Sequence, residues 1–299
     1  MSGSEPVSGQ PRICFVTCAR WPEISDSDAR VQTALARLGA EVAPRAWNLP
    51  EQQIVGFDLV VLRSNWDYHF EPARFRQWLG ALDDAMGDRV WNPPALVRWN
   101  LDKRYLFDLE RAGVPVVPTA VLPAGEEAGL GALVADRGWR DVVVKPAVGA
   151  SAHGTRRLAA AEAARVAMEL SEDGAARDWL VQPFVPELAT AGEWSLIFID
   201  GELSHAVLKM PSPDDFRVQA RFGGHTEPAV PPPSVRRGAE RALAALPVAP
   251  LYARVDGVAI GDALVVMEIE AHEPGLFFDR APLAAAQRFA EAILRRVRT

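Results

Sequence analysis

Residues 252–270 read YARVDGVAIGDALVVMEIE, two apolar runs that carry the carboxylates of Asp256, Glu268 and Glu270. Side chains alternate between the two faces of a β-strand, so Glu268 and Glu270 are predicted to share a face, while Met267 points into the packing. Burying carboxylates among apolar residues is costly unless a cation meets them. Three converging oxygen ligands suit Mg²⁺ that is shared with substrate phosphates, which predicts a phosphate-handling enzyme. The alternative is a solvated strand face on which these acids pair with arginines.

The composition is that of a globular enzyme rather than of a nucleic-acid-binding or membrane protein. The 299 residues suggest two or three domains. The net charge is −7 and no block of basic residues occurs, so nucleic acid is not expected as a partner, and no apolar run is long enough to span a membrane. The two cysteines, Cys14 and Cys18, fit a reducing cytoplasm, and the polar residues 1–10 are predicted to form a disordered leader.

The N-terminal part of the chain, up to about Asn92, has the pattern of an open parallel α/β sheet. Strands are predicted over 12–17, 42–47 and 57–62, and a helix over 28–38. In such sheets ligands bind beyond the carboxyl ends of the strands, and Arg63 directly follows the third strand. Arg63 is therefore a candidate for gripping an anionic substrate, with a surface salt bridge as the alternative.

The segment 141–155, DVVVKPAVGASAHGT, is the second informative stretch. A β-branched strand ends in Lys145 and is followed by a loop of small residues. Small residues let backbone N–H groups approach phosphate oxygens, and the lysine adds a positive charge. The segment is not a P-loop, because no Gly-Lys-Ser/Thr opens a following helix. The alternative is an ordinary turn.

The remaining pattern predicts a change of architecture toward the C-terminus. A helix capped by Asn100 and ended by Gly113 is predicted first. Asp200-Gly201 between two apolar runs predicts a hairpin, and hence an antiparallel C-terminal half. Residues 281–298 are predicted to close the chain as an amphipathic helix.

Six short motifs follow one another in a specific order. They are NLDKRYLF at 100–107, VVVKP at 142–146, VQPFV at 181–185, GEWSLIFIDGE at 192–202, RVDG at 254–257 and MEIE at 267–270. Together they resemble the ATP-grasp superfamily of carboxylate–amine ligases. The resemblance implies an ATP-grasp fold, α/β (α+β overall), in which two α+β subdomains grip ATP. The expected units are a parallel α/β domain over 11–98, a central subdomain with a phosphate lid over 99–180, and a C-terminal subdomain with the metal site over 181–299.

The resemblance also implies a role for each matching residue. ATP would be held by Lys103, Lys145, the lid residues Gly149, Ala150, Ser151, Ala152 and Gly154, and the hinge residues Gln182, Phe184, Val185 and Glu187. Lys209, Arg217 and Arg254 are the catalytic candidates, and Arg63, Asn65 and His153 are the substrate-binding ones. Asp256, Glu268 and Glu270 match the metal ligands, for Mg²⁺ or alternatively Mn²⁺. Many relatives have asparagine where this chain has Glu270, which adds negative charge near the triphosphate.

Three further strings resemble a small-molecule branch of the superfamily: RSNWDY at 63–68, WNLDKRYL at 99–106 and EPGLFF at 273–278. Its members include a cyclo-ligase that closes O-ureido-D-serine to D-cycloserine in antibiotic biosynthesis. The expected function is therefore ATP-dependent activation of a small amino acid's carboxylate, followed by ring closure. The alternatives are an intermolecular carboxylate–amine ligase and a non-catalytic nucleotide-binding protein. The expected partner is a small amino-acid-like substrate, and a homo-oligomer is left open.

Overall fold

The computed structural model describes residues 9–48, 54–172, 176–213 and 215–297. Three sheets follow one another along the chain, one parallel and two antiparallel. The leader predicted over residues 1–10 falls, as far as Ser8, outside the described residues. Within the described ranges no helix is long and apolar enough to cross a membrane.

The N-terminal sheet is parallel, as the sequence predicts. It contains β1 (Arg12–Thr17), β2 (Glu41–Ala46), β3 (Leu59–Leu62) and β4 (Val90–Trp91) in the order β2-β1-β3-β4, with helices α1 (Asp26–Arg37) and α2 (Pro72–Met86) in the connections. Ser25 caps α1 by accepting a hydrogen bond from the Asp28 N–H at 3.2 Å. Because α1 follows β1, its first turn lies at the carboxyl edge of the sheet, where ligands of such sheets bind.

Two short helices, α3 (Pro94–Asn100) and α4 (Tyr105–Arg111), follow the first sheet. The predicted cap at Asn100 is wrong, because Asn100 is the last residue of α3, whereas the predicted end at Gly113 agrees with α4. The side chain of Asn100 instead serves the C-terminal sheet. Nδ2 donates to the Ile269 carbonyl and Oδ1 accepts from the Ala271 N–H, each at 2.7 Å.

The central sheet is antiparallel. It contains β5 (Ala120–Leu122), β6 (Asp141–Pro146), β7 (Arg156–Ala159) and β8 (Trp179–Pro183) in the order β5-β8-β6-β7, with helices α5 (Leu130–Asp136) and α6 (Ala163–Glu172). The two helices pack apolar side chains such as Val134 and Val166 against Val142 and Val144 of β6. The loop of small residues follows β6, as predicted.

The C-terminal sheet has five antiparallel strands. These are β9 (Glu193–Ile199), β10 (Glu202–Met210), β11 (His225–Pro228), β12 (Tyr252–Ile260) and β13 (Ala263–Glu270) in the order β11-β10-β9-β12-β13, with helices α7 (Glu187–Ala191), α8 (Pro233–Ala244) and α9 (Leu283–Val297). The predicted hairpin at Asp200-Gly201, the antiparallel pairing and the final helix are confirmed.

A bulge interrupts the pairing of β12 with β13. Asp256 lies opposite Glu268, whereas Gly257 lies opposite Val266, so Met267 is the extra residue. A bulge changes the direction of the side chains around it. Met267 packs against the cluster of Leu188, Val218 and Val258, as predicted, and it also lines the cavity described below.

The first and last sheets share one hydrophobic core. Ile13 of β1 and Val31 of α1 belong to the same cluster as Tyr252 of β12 and Phe289 of α9. Asn92 lies fully buried next to this cluster, where Nδ2 donates to the carbonyls of Tyr252 and Ala271 and Oδ1 accepts from the Leu251 N–H. The chain near the predicted end of the first domain is therefore firmly held by the C-terminal sheet.

Candidate functional site

A cavity of about 570 Å³ lies where the three sheets meet. Most of the residues singled out in the sequence lie on its wall. They are Lys103, Lys145, Gly149, Ala150, Ser151, Ala152, His153, Gln182, Phe184, Val185, Lys209, Arg217, Arg254, Asp256, Glu268 and Glu270. Residues that are distant in sequence thus converge on one site.

Four predicted site residues do not line the cavity: Arg63, Asn65, Gly154 and Glu187. Arg63 is 2% exposed and is bound to Asp28, to which its Nη2 donates at 3.0 Å, and to the Pro274 carbonyl at 2.9 Å. The expectation that Arg63 grips a substrate is thereby corrected, because its charge is met inside the protein. Asn65 is fully buried, and neither atom of its amide has a hydrogen-bond partner among the described residues.

The chain has three lysines, and all three line the cavity. Lys103 donates to Glu268 at 2.7 Å and to the Gly149 carbonyl at 2.6 Å, and Lys209 forms an ion pair with Glu193. Lys145 has no ion pair among the described residues, and its burial lowers the pKa of its ammonium group. An unpaired cation on a cavity wall is suited to bind an anion such as phosphate.

The loop after β6 is tied to its surroundings at its start. The Gly149 carbonyl accepts hydrogen bonds from Lys103 and, at 3.3 Å, from the Tyr68 hydroxyl. Further along, Ser151 and Ala152 have positive φ angles of 52° and 53°. This left-handed conformation is uncommon for residues other than glycine and is typical of functional loops.

The acidic and basic side chains of β9, β10 and β12 face one another across neighbouring strands. Glu193 lies opposite Lys209, and Ser195 lies opposite Asp256. Asp256 accepts from Ser195 and from Arg254, whose Nη2 donates at 2.7 Å. Burial alone would raise the pKa of Asp256, but the charges of Arg254 and Lys209 outweigh it and hold this pKa at about 2.

Glu268 and Glu270 of β13 complete the predicted metal set. Each faces a cation, since Glu268 binds Lys103 and Glu270 binds Arg254. Burial, with a smaller contribution from Glu268 and Asp256, raises the pKa of Glu270 to about 7 despite Arg254. These oxygens on one wall fit a hard cation, which would relieve their mutual repulsion. In the described residues, however, no three His, Cys, Asp or Glu side chains are grouped closely enough to hold a metal, so the ligand roles stay a prediction.

Part of the cavity wall is apolar. Phe184, Val185, Phe216 and Met267 line it, next to Gln182, whose amide donates to the Thr119 hydroxyl at 2.8 Å. Val185 follows β8, and among the described residues its N–H has no acceptor. Apolar side chains beside a backbone donor without an acceptor are suited to bind a heteroaromatic ring.

Some residues of the wall were given no role in the sequence analysis, namely Glu193, Trp66 and Glu273. Glu193 and its neighbour Ser195 occupy alternate positions in the quoted motif GEWS, so the period of two could have placed both beside Asp256. Glu273 opens the quoted motif EPGLFF, but its position in the loop after β13 gave it no role. Burial, and to a lesser degree Glu270, raises the pKa of Glu273 well above its usual value.

Two family models match the chain. One describes the N-terminal domain of D-cycloserine synthetase DcsG and matches residues 13–92; the other describes the ATP-grasp domain of prokaryotic glutathione synthetase and matches residues 117–236. The chain is 35% identical to the cycloserine biosynthesis protein DcsG of Streptomyces lavendulae over 258 residues, which cover 79% of this chain and 84% of that protein.

A comparison with solved structures also finds similarity to DcsG. The crystal structure of D-cycloserine synthetase DcsG superposes with a TM-score of 0.86 at 29% identity, covering 96% of this chain and 99% of that chain. D-alanine–D-alanine ligase from Bacillus anthracis is similar in fold, with a TM-score of 0.69 at 16% identity, over 96% of this chain and 97% of that chain.

Proposed function

The chain belongs to the ATP-grasp ligases, in the family of the cycloserine biosynthesis protein DcsG, and we propose that it closes O-ureido-D-serine to D-cycloserine. The observation that carries the proposal is the match to DcsG, which covers 79% of this chain in sequence and 96% in structure and includes an N-terminal domain that matches the model of the DcsG N-terminal domain. This domain forms one side of the cavity, with Ser25, Ser27 and Trp66 on the wall.

ATP would lie with its adenine against the apolar side chains of the cavity wall and its phosphates among the lysines. Phe184 and Val185 would flank the base, and Glu187, just behind them, would bind the ribose. Lys103 and Lys145 would neutralise the phosphates, and the loop from Gly149 to Gly154 would cover them. The unpaired charge of Lys145 and the small side chains of the loop support this arrangement.

Asp256, Glu268 and Glu270 would hold Mg²⁺, the ion with which ATP-grasp ligases use ATP. When bound, the ion would neutralise charge on the phosphates and orient them for transfer. The protein's own task is then to keep the three carboxylates on one wall, which the antiparallel pairing of β12 with β13 does. Release of Lys103 and Arg254 from these carboxylates would free both cations for the phosphates and the acyl phosphate.

The chemistry needs positioning and charge neutralisation rather than a protein nucleophile. The γ-phosphoryl group of ATP passes to a carboxylate oxygen of the substrate, and ADP leaves. The nitrogen bonded to the side-chain oxygen then attacks the acyl carbon, the five-membered ring closes and phosphate leaves. Because D-cycloserine lacks the carbamoyl group, water must also cleave the carbamoyl–nitrogen bond. Lys209 and Arg254, both buried on the wall, would stabilise the charge that develops on the acyl oxygen.

An intramolecular attack requires no second substrate site. A well-oriented nucleophile in the same molecule reaches effective molarities of about 10⁵ to 10⁸ M. The enzyme would therefore need mainly to activate the carboxylate and hold the substrate in a folded conformation. Arg217 and His153 lie on the wall where they could contact it.

The proposal is tested by incubating the protein with ATP, Mg²⁺ and O-ureido-D-serine. ADP release together with D-cycloserine, identified by mass spectrometry, is the expected result, and EDTA should abolish both. ADP release that depends on a separate amine, with a linear amide as product, would instead identify an intermolecular ligase. ADP release without any amide product would contradict both functions.

A further inference from the structure

Phe277 lies on the cavity wall in a backbone conformation that is unfavourable for its residue type. Its φ is 51° and its ψ is 34°, which is the left-handed region, where a bulky side chain is an outlier. This conformation is costly for any residue with a Cβ atom. Glycine would adopt it freely, yet Gly275, two positions earlier, has no positive φ. The turn after β13 therefore places the strain on an aromatic residue that faces the cavity.

The chain around Phe277 is held in this conformation from several sides. Side chains from the first part of the protein and from β12 bind the backbone of residues 274–278. They are Arg63 on the Pro274 carbonyl at 2.9 Å, Arg254 on the Gly275 carbonyl at 3.0 Å, Arg30 on the Phe278 carbonyl at 3.0 Å, and Ser27, whose hydroxyl accepts from the Phe278 N–H at 2.9 Å. Strain that surrounding contacts maintain in this way is typical of residues with a functional role.

Phe277 lies where the C-terminal sheet meets the first turn of α1. The centroid of its ring is 5.7 Å from Cζ of Arg254, within the range of a cation–π contact. The residue packs against the core shared by the first and last sheets, and the hydrogen bond between Phe278 and Ser27 keeps it next to α1. Arg254 is proposed above to stabilise the charge on the acyl oxygen. The acyl carbon would therefore lie beside the ring of Phe277.

The space next to this carbon matters because an acyl phosphate reacts with any nucleophile that reaches it. An internal nitrogen arrives with the substrate, whereas a separate amine or a water molecule needs room of its own beside the carbon. Closed active sites exclude such molecules and so prevent side reactions of reactive intermediates. An enzyme that closes a ring can therefore fill this room with a side chain without blocking its own reaction.

We infer that the ring of Phe277 shields the acyl phosphate from external nucleophiles, and so restricts the enzyme to ring closure. The inference rests on the proposed function, because the acyl phosphate is an intermediate of that reaction. Without the ring, the nitrogen of an added amine attacks the acyl carbon, and the bond from this carbon to the phosphate oxygen breaks. Phosphate leaves with the electron pair, and the nitrogen gives up a proton to water. One side chain would thus separate an intramolecular from an intermolecular ligase.

The test needs a substrate that cannot cyclise, because an internal nitrogen at an effective molarity of about 10⁵ M or more would outcompete any added amine. O-(carbamoylmethyl)-D-serine has a methylene in place of the ring-closing nitrogen. The wild-type protein and Phe277→Ala are mixed with this analogue, ATP, Mg²⁺ and hydroxylamine. A burst of ADP equal in amount to the enzyme shows that the carboxylate is activated, and hydroxamate formation then measures access to the acyl phosphate. We expect equal bursts, and hydroxamate about 10- to 200-fold faster in Phe277→Ala, the range over which a pocket discriminates by size.

The matched control is Phe107→Ala. Phe107 is also half-buried, but it lies on α4 and does not line the cavity. This control should form hydroxamate no faster than the wild type. Phe277→Tyr, which keeps the ring, should also exclude hydroxylamine. If Phe277→Ala does not fold, Phe277→Gly is measured by the same criterion, since glycine adopts the left-handed conformation without strain.

A rate of hydroxamate formation in Phe277→Ala within about threefold of the wild-type rate overturns the inference, as does a Phe277→Tyr variant that matches Phe277→Ala. A wild-type protein without an ADP burst also overturns it, because no acyl phosphate then exists for the ring to shield. The proposed function is decided separately, by D-cycloserine formed from O-ureido-D-serine. Absence of this product contradicts ring closure, while the hydroxamate rates still decide the role of Phe277.

Discussion

Lys103 and Lys145 line the same cavity but differ in the partners that their ammonium groups have within the protein. Lys103 binds Glu268 and the Gly149 carbonyl, whereas Lys145 has no ion pair in the described part of the chain. Burial lowers the pKa of Lys145, so folding makes its charged form less favourable than it is in the unfolded chain. At neutral pH this group therefore opposes folding, while Lys103 with its partner does not.

We expect Lys145→Met to weaken ATP binding by about 10- to 100-fold, the value of one charge-assisted hydrogen bond. Its thermal midpoint without ligand should be equal to or higher than that of the wild type, because a buried unpaired charge is removed. Calorimetric titration with ATP and thermal unfolding monitored by circular dichroism measure the two effects.

Lys103→Met is the matched comparison. It should also lose ATP affinity, but its midpoint should fall, because Glu268 is left without its cation. A fall in the midpoint of Lys145→Met as large as that of Lys103→Met would show that Lys145 is structural.

At the scale of single residues, the sequence predicted which residues line the cavity better than it predicted which residues they bind. Lys103, Lys145 and Asp256 lie on the cavity wall, as expected from motifs whose order was specific. Arg63 does not, because its partner Asp28 is far away in sequence and only the packing of α1 brings the two together.

The loop after β6 acts as an element whose shape depends on one glycine. Gly154 has a φ of +72°, and a Cβ atom there would lie 3.0 Å from Pro146 Cγ. An alanine at this position would therefore strain the backbone and also crowd Pro146, the last residue of β6. The strain of a left-handed alanine costs about 1–2 kcal/mol.

We expect Gly154→Ala to raise the KM for ATP about fivefold, corresponding to about 1 kcal/mol, because the loop can no longer keep its shape over the phosphates. Gly138→Ala is the control, since its φ is +64° but a Cβ atom there meets nothing within 4 Å. Gly138→Ala should lose stability from backbone strain alone and Gly154→Ala somewhat more, and only Gly154→Ala should change the KM. Equal KM values in steady-state assays would argue against a lid.

At the scale of elements, period and turn chemistry predicted most strands and the hairpin at Asp200-Gly201. They did not predict the bulge at Met267, because an extra residue in one strand is visible only against its partner strand. These sequence signals also placed Asn100 at the start of a helix, whereas it is the last residue of α3. A residue that caps helices well was used to bind the edge of a distant strand.

Across the whole molecule, Asn92 connects the end of the first sheet to the last one. Its amide forms hydrogen bonds with Leu251, Tyr252 and Ala271, all buried. The shared core of β1, α1, β12 and α9 has the same effect. The predicted domain boundary near residue 98 therefore separates parts of the chain that are tightly packed together.

We expect Asn92→Ala to lower the free energy of unfolding by about 2–4 kcal/mol, because several buried backbone groups lose their partners. Urea unfolding followed by tryptophan fluorescence and by circular dichroism should give coincident single transitions. Asn48→Ala, which removes only an exposed bond to the Ala19 N–H, should cost less than about 1 kcal/mol. Two separate transitions in the wild type would indicate independent domains.

The order of the motifs along the chain predicted the ATP-grasp architecture as a whole. Local patterns could not predict how the first sheet packs on the last, since no sequence period reports contacts between residues separated by most of the chain.

The confinement of lysine to the cavity gives this protein an unusual chemical property. Apart from the N-terminal amine, every primary amine of the chain belongs to Lys103, Lys145 or Lys209. An acylating reagent selective for amines would therefore modify only the proposed nucleotide site and the N-terminal amine. The extent of labelling, read by mass spectrometry with and without nucleotide, would report occupancy of the site directly, without any engineered probe.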